Sequence, residues 1–106
     1  MLPSGWYAIG IGSANPAMTT GTFVKGQQYN YNFNHGAILT AIFSLDGITT
    51  FNISGTYPSP YRLVAIKSDG TIANVSNGSD VSDYDILFIA LDNHSGSAKS
   101  ASFTLS

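Results

Sequence analysis

The longest unbroken apolar run in the chain, Ile86 to Leu91 within Tyr84-Asp-Ile-Leu-Phe-Ile-Ala-Leu91, has no helical spacing. β-Branched and aromatic residues fill it, and Asp85 and the turn-rich Asp92-Asn-His-Ser-Gly96 bound it, so it reads as a strand buried on both faces. Ser100-Ala-Ser-Phe-Thr-Leu-Ser106 follows, with Ala101, Phe103 and Leu105 alternating onto one face as a half-buried return strand would. The two are expected to pair as a C-terminal hairpin. A strand apolar on both faces implies a cover for the second face, and a neighbouring subunit is the simplest one.

Upstream, Gln28-Tyr-Asn-Tyr-Asn-Phe-Asn34 alternates strictly, with Tyr29, Tyr31 and Phe33 on one face and amides on the other. Trp6 to Gly12 reads as an edge strand weakened by its glycines, with Trp6 and Tyr7 capping the core, and Thr20 to Val24 as a second short strand. Ala37 to Leu45 is a long apolar strand. Asp46-Gly47 predicts a type I′ turn returning it along Ile48 to Ile53, and Asp69-Gly70 predicts the same between Tyr61–Lys67 and Thr71–Val75. Two prolines keep Ser54 to Pro60 out of any ladder, and Ser76 to Asp80 is the most polar loop. The expected fold is all-β: one domain over residues 1–106, an antiparallel β-sandwich of jelly-roll type with about eight or nine strands and no helix of note.

Composition narrows the function. Charged residues make up 9% of the chain, with no glutamate and no cysteine, and the net charge is -2. Four scattered cations offer no footprint for a nucleic-acid backbone, so no nucleic-acid partner is expected. Without cysteine there is neither a disulfide framework nor a thiolate metal site, and packing must hold the fold. Oligomerisation would help so small a domain. No segment approaches the roughly 18 apolar residues of a membrane span, and no signal peptide is visible at Met1-Leu-Pro-Ser-Gly5, so membrane insertion is not expected. Polar positions filled by Ser, Thr, Asn and Gly suit an extracellular or virion surface.

Catalysis needs paired functional groups, and the histidines His35 and His94 both lie at predicted turns. No enzyme is expected. Asp80, Asp83 and Asp85 precede the Ile86–Leu91 strand while Asp92 and Asn93 follow it, so either loop offers oxygen ligands for calcium, although these residue types also favour turns. No cofactor is otherwise implied. Tyr57 and Tyr61 flank the prolines of one loop and admit two readings: flat platforms for a sugar face, or rings packed on the sheet end. The candidate ligand-binding residues are therefore Tyr57, Tyr61, Asp80, Asp83, Asp92 and Asn93, set in loops at one end of the sandwich. Asn-x-Ser triplets at Asn52, Asn74, Asn77 and Asn93 follow from an Asn- and Ser-rich composition and carry no information.

Gly5-Trp-Tyr7, Gly21-Thr-Phe23, Phe51-Asn-Ile53, Tyr61-Arg-Leu-Val-Ala-Ile66 and Asp85-Ile-Leu-Phe-Ile-Ala90 together resemble, in order, the C-terminal domains of trimeric phage tail-fibre and receptor-binding proteins. Where that family often has a basic residue after the opening, this chain has Ala8. The resemblance implies a β-sandwich at a fibre tip, recognising a cell-surface glycan from the virion surface, as a homo-oligomer with a trimer favoured. Leu63-Val, Gly70-Thr-Ile72, Ile86-Leu-Phe-Ile89, Asp92-Asn93 and Ser95-Gly96 are locally similar to the C-terminal half of calcium-dependent galactose-binding bacterial lectins. That second resemblance implies calcium and sugar at Asp92 and Asn93, over a shortened spacing. A free-standing lectin and a purely structural virion or decoration module are the alternatives.

Overall fold

The computed structural model describes residues 5–17 and 20–106, and of residues 6–12 it describes the backbone alone. The expected capping role of the Trp6 and Tyr7 rings lies outside the described residues. Among the described residues ten strands run Trp6–Gly12 (β1), Gly21–Thr22 (β2), Gln28–Phe33 (β3), Ile38–Ser44 (β4), Thr50–Ser54 (β5), Tyr61–Ile66 (β6), Ile72–Asn74 (β7), Ser79–Asp80 (β8), Ile86–Asp92 (β9) and Lys99–Leu105 (β10). Among the described residues there is no helix. Sequence pattern anticipates all of them except the two-residue β8, which sits in the most polar loop.

The strands form two antiparallel sheets, one of six in the order β2-β1-β4-β9-β6-β7 and one of four in the order β3-β10-β5-β8. From β3 onward the pairing is nested: β3 with β10, β4 with β9, β5 with β8, and β6 with β7. An antiparallel ribbon doubled at the β6/β7 turn and coiled on itself also creates the β5–β10 and β6–β9 ladders, and this winding is a jelly roll. β1 and β2 extend the larger sheet beyond β4.

This topology overturns two expected hairpins. β9 and β10 belong to opposite sheets, as do β4 and β5. Alternation tells a strand which face is apolar, not which strand lies beside it. After β4 the chain turns with the Ile48 N–H donating to the Leu45 carbonyl (2.9 Å) and crosses the sandwich. Gly47 has φ 79° but Asp46 does not have a positive φ, which excludes the type I′ geometry. Asp69-Gly70 does sit in a hairpin, but with only Gly70 at positive φ (91°). Gly70 N–H donates to Lys67 and Lys67 N–H to Thr71, which makes a three-residue loop of the bulged kind.

The core lies between the sheets. Leu39, Ala41 and Phe43 of β4 and Leu87, Ile89 and Leu91 of β9 face Ala101, Phe103 and Leu105 of β10 and Phe51 and Ile53 of β5. Phe103 is the hub: its ring centroid is 5.4 Å from Tyr31, nearly parallel, and 5.7 Å from Phe43 at 76°. Each such ring contributes roughly 1.5–3 kcal/mol by leaving water. β9 is thus buried on one face and not on both. Its outward residues Ile86, Phe88 and Ala90 are half-buried by their own sheet neighbours, as are Ile38, Thr40 and Ile42 of β4.

The two outer faces differ. On the four-stranded sheet the outward positions are Gln28, Asn30 and Asn32 of β3, Ser100, Ser102 and Thr104 of β10, Thr50, Asn52 and Ser54 of β5, and Asp80 of β8. This is a polar face, with Asp80 at its edge, of the kind water covers. On the six-stranded sheet, register stacks four rows: Ile38–Asp92, Thr40–Ala90–Arg62, Ile42–Phe88–Val64–Asn74 and Ser44–Ile86–Ile66–Ile72. Charge is confined to the first two.

Candidate binding site at the tyrosine end

Strand direction sorts the loops into two ends. One holds 34–37, 55–60 and 93–98; the other holds 45–49, 67–71 and 81–85. The first end is built by the 55–60 loop. Gly55 (φ 99°) starts it by passing so close to β10 that a Cβ there would lie 2.9 Å from the Ser100 carbonyl oxygen, so only glycine fits. Ser100 N–H then donates to Thr56 Oγ1 (3.2 Å), and Asp92 N–H to the Pro60 carbonyl (3.1 Å). These bonds set Tyr57, Tyr61 and Asp92 in one neighbourhood.

The two tyrosines divide the two readings between them. Tyr57 is half-buried and packs on the core, whereas Tyr61 is 50% exposed. Burial of Tyr57, and after it the nearby Tyr61 hydroxyl, raises the Tyr57 phenol above its ordinary value. Tyr57 is therefore a support, and Tyr61 is the ring a ligand can reach.

Beside Tyr61 a depression of 290 Å³ opens on the outward side of the six-stranded sheet, lined by Ile38, Thr40, Pro60, Tyr61, Arg62, Ala90, Leu91 and Asp92. Its floor is the second row of the sheet, where Ala90 lies between Thr40 and Arg62. The depression exists because a methyl group stands at Ala90 where the next row carries the Phe88 ring. The result is an apolar floor with a guanidinium and a carboxylate at its border and Tyr61 at its edge, a mixture that suits a sugar ring. Asp92 Oδ2 lies 2.8 Å from His94 Nε2, an ion pair when the imidazole is protonated, so this carboxylate has a fixed orientation.

Asn93, expected to reach a ligand, is fully buried. Its Nδ2 donates to the carbonyls of Phe33 (2.9 Å), Asn34 (3.3 Å) and Ser97 (3.0 Å), while its Oδ1 accepts from Ser95 N–H (3.0 Å) and Oγ (2.7 Å). Every polar atom of the amide is spent on tying the 34–37 loop to the 93–98 loop, so Asn93 shapes this end from within.

Asp80 and Asp83 do not join the site. Both lie at the opposite end of the sandwich, where β8 pairs with the start of β5. Asp80 Oδ1 accepts from Ser82 Oγ (2.6 Å) and Ser82 N–H (2.9 Å), and these bonds hold its carboxyl below the usual value. Asp85 Oδ2 accepts from Ser68 N–H (2.7 Å). Among the described residues no group of three or more His, Asp or Glu gathers to hold a metal, at either end.

Two site residues escape sequence reasoning. Arg62 is the one cation inside an otherwise uncharged strand, and Ala90 is the small residue in a run of large ones. Both signals are present in the sequence, but only the ladder register places them side by side. No protein-family model, curated protein or solved structure matches the chain.

Proposed function

We propose that this domain is a non-catalytic carbohydrate-binding module, working at the tip of a phage tail fibre on a glycan of the host cell surface. The observation that supports the reading is the depression over Ala90, lined by the half-exposed Tyr61 and the oriented Asp92 carboxylate. A sugar offers one apolar face and a rim of hydroxyls. Ile38, Ala90 and Pro60 suit the first, and Asp92 can accept from two adjacent hydroxyls. A pocket of this size holds a single sugar unit and binds it weakly. A homo-oligomer, with a trimer favoured, would present several such pockets and gain affinity through multivalency.

The test is binding of the intact chain to a glycan panel and to whole bacterial cells. The parent is expected to bind without releasing sugar, and Asp92→Asn to bind about fivefold to tenfold less well, the loss of one good hydrogen-bonded contact. A parent chain that binds neither glycans nor cells would leave the structural-module reading in its place.

A further inference from the structure

Arg62 stands on the outward face opposite Ala90, and Asp92 lies on the same face two residues further along β9. Such a diagonal pair is separated by about 7 to 8 Å across the ladder. The two charges do not meet: Asp92 is engaged by His94, and Arg62 makes no ion pair with any described residue. Between them lie Ala90 and Pro60, two small apolar residues that line the depression. An exposed arginine elsewhere on a protein needs no explanation, but this one lines a pocket, across from a carboxylate that is already held.

We infer that the sugar this site takes is anionic, a uronic-acid unit whose carboxylate docks on the Arg62 guanidinium while its hydroxyls face Asp92. The inference rests on the carbohydrate reading above and adds to it the charge and orientation of the ligand. The guanidinium fork matches a carboxylate with two parallel hydrogen bonds, which a neutral hydroxyl cannot reproduce. Asp92 would repel an anion placed against it, so the carboxylate must point to the Arg62 side and the hydroxyls to the Asp92 side. Opposite charges on two sides of one sugar-sized gap thereby fix which way round the ring lies. A neutral sugar would leave the guanidinium without a partner, and a second anionic group would meet Asp92.

The experiment titrates the intact chain with galacturonate and glucuronate oligosaccharides and with their carboxyl-reduced, neutral counterparts, at low and at high salt. The parent is expected to bind at least one acidic form on the order of tenfold more tightly than its neutral counterpart, the worth of a charge-assisted bidentate contact. Added salt should narrow the gap. Arg62→Gln should bring the acidic form down to the neutral one, and Arg62→Lys, which keeps the charge and loses the fork, should fall between them. Equal binding of acidic and neutral forms by the parent would overturn the anionic assignment and leave the carbohydrate reading standing. Binding of neither form, nor of any member of the glycan panel, would overturn both. An Arg62→Gln chain that retains the preference would show that another group reads the carboxylate. Thermal unfolding of both variants is expected to match the parent, because Arg62 is exposed.

Discussion

The rings of Tyr57 and Tyr61 meet edge to face, with centroids 5.0 Å apart and planes at 84°. One ring is anchored in the core and the other stands half in solvent, so the pair transmits the rigidity of the sandwich to the surface. Removing either member should therefore have a different consequence. Tyr57→Ala is expected to cost about 2 kcal/mol of stability, part of the penalty for a fully buried ring, and to weaken binding only through the loss of that support. Tyr61→Ala should leave the melting temperature nearly unchanged and weaken glycan binding about fivefold to tenfold. Denaturant unfolding of both variants beside the glycan titration separates the roles; the reverse pattern would make Tyr61 the structural ring.

Asn93 predicts the largest effect on stability. Asn93→Leu leaves the Phe33 and Ser97 carbonyls and the Ser95 N–H without their amide partner in a fully buried position. Buried groups left unsatisfied cost about 1–3 kcal/mol each, so a loss of about 3–5 kcal/mol is expected. Asn93→Asp should also destabilise, because a carboxylate cannot donate to the three carbonyls it would face. Urea unfolding that shows less than about 1 kcal/mol for both would mean that the loops are held by other bonds.

Much of this architecture is legible in the residues. The alternation of Tyr29, Tyr31 and Phe33, and of Ala101, Phe103 and Leu105, marks their core faces without ambiguity. Strand order is not legible, because in a jelly roll consecutive strands cross between sheets while their apolar faces look the same as in a hairpin. The site is legible in part for the same reason. Tyr57, Tyr61 and Asp92 are close in the fold because the 55–60 loop is tied to the end of β9, a fact carried by backbone hydrogen bonds. Asp80 and Asp83 sit near Asp92 in sequence, but the seven residues of β9 span the length of the sandwich and put them at the far end.

The far end has its own pH signature. Ser82 lowers the Asp80 carboxyl, through its hydroxyl first and its N–H second, and Thr71 lowers that of Asp69 in the same order. A carboxyl whose folded value lies below 3.8 favours the folded state when ionised. Its contribution is therefore complete above 3.8 and is lost as pH falls through the lower folded value. Carboxyl titration by NMR should find Asp80 and Asp69 below the ordinary aspartate range, and Ser82→Ala should move Asp80 back up while leaving Asp69 in place. An unmoved Asp80 would show that the Ser82 hydroxyl is not its partner in solution.

Ala90 carries the most direct test of where the ligand sits. Its methyl group is the floor of the depression, between Thr40 and Arg62 in one row and next to Phe88 in the following one. Its side chain points away from the core, so enlarging it meets no packed interior. Ala90→Leu simply continues the half-buried apolar surface of Ile42 and Phe88 by one more row and fills the space a sugar would occupy. Stability should stay within about 0.5 kcal/mol of the parent, as for other changes outside the core, while glycan binding falls by more than tenfold because the ring can no longer reach the Asp92 and Arg62 side chains together. Ala90→Gly, which deepens the floor without blocking it, should retain binding at some cost in strand stability. Full binding by the Ala90→Leu chain would show that the ligand does not lie over this floor and that Tyr61 serves a site further out on the loops; joint loss of binding and folding would show that the outward face is packed more tightly than its half-buried residues imply.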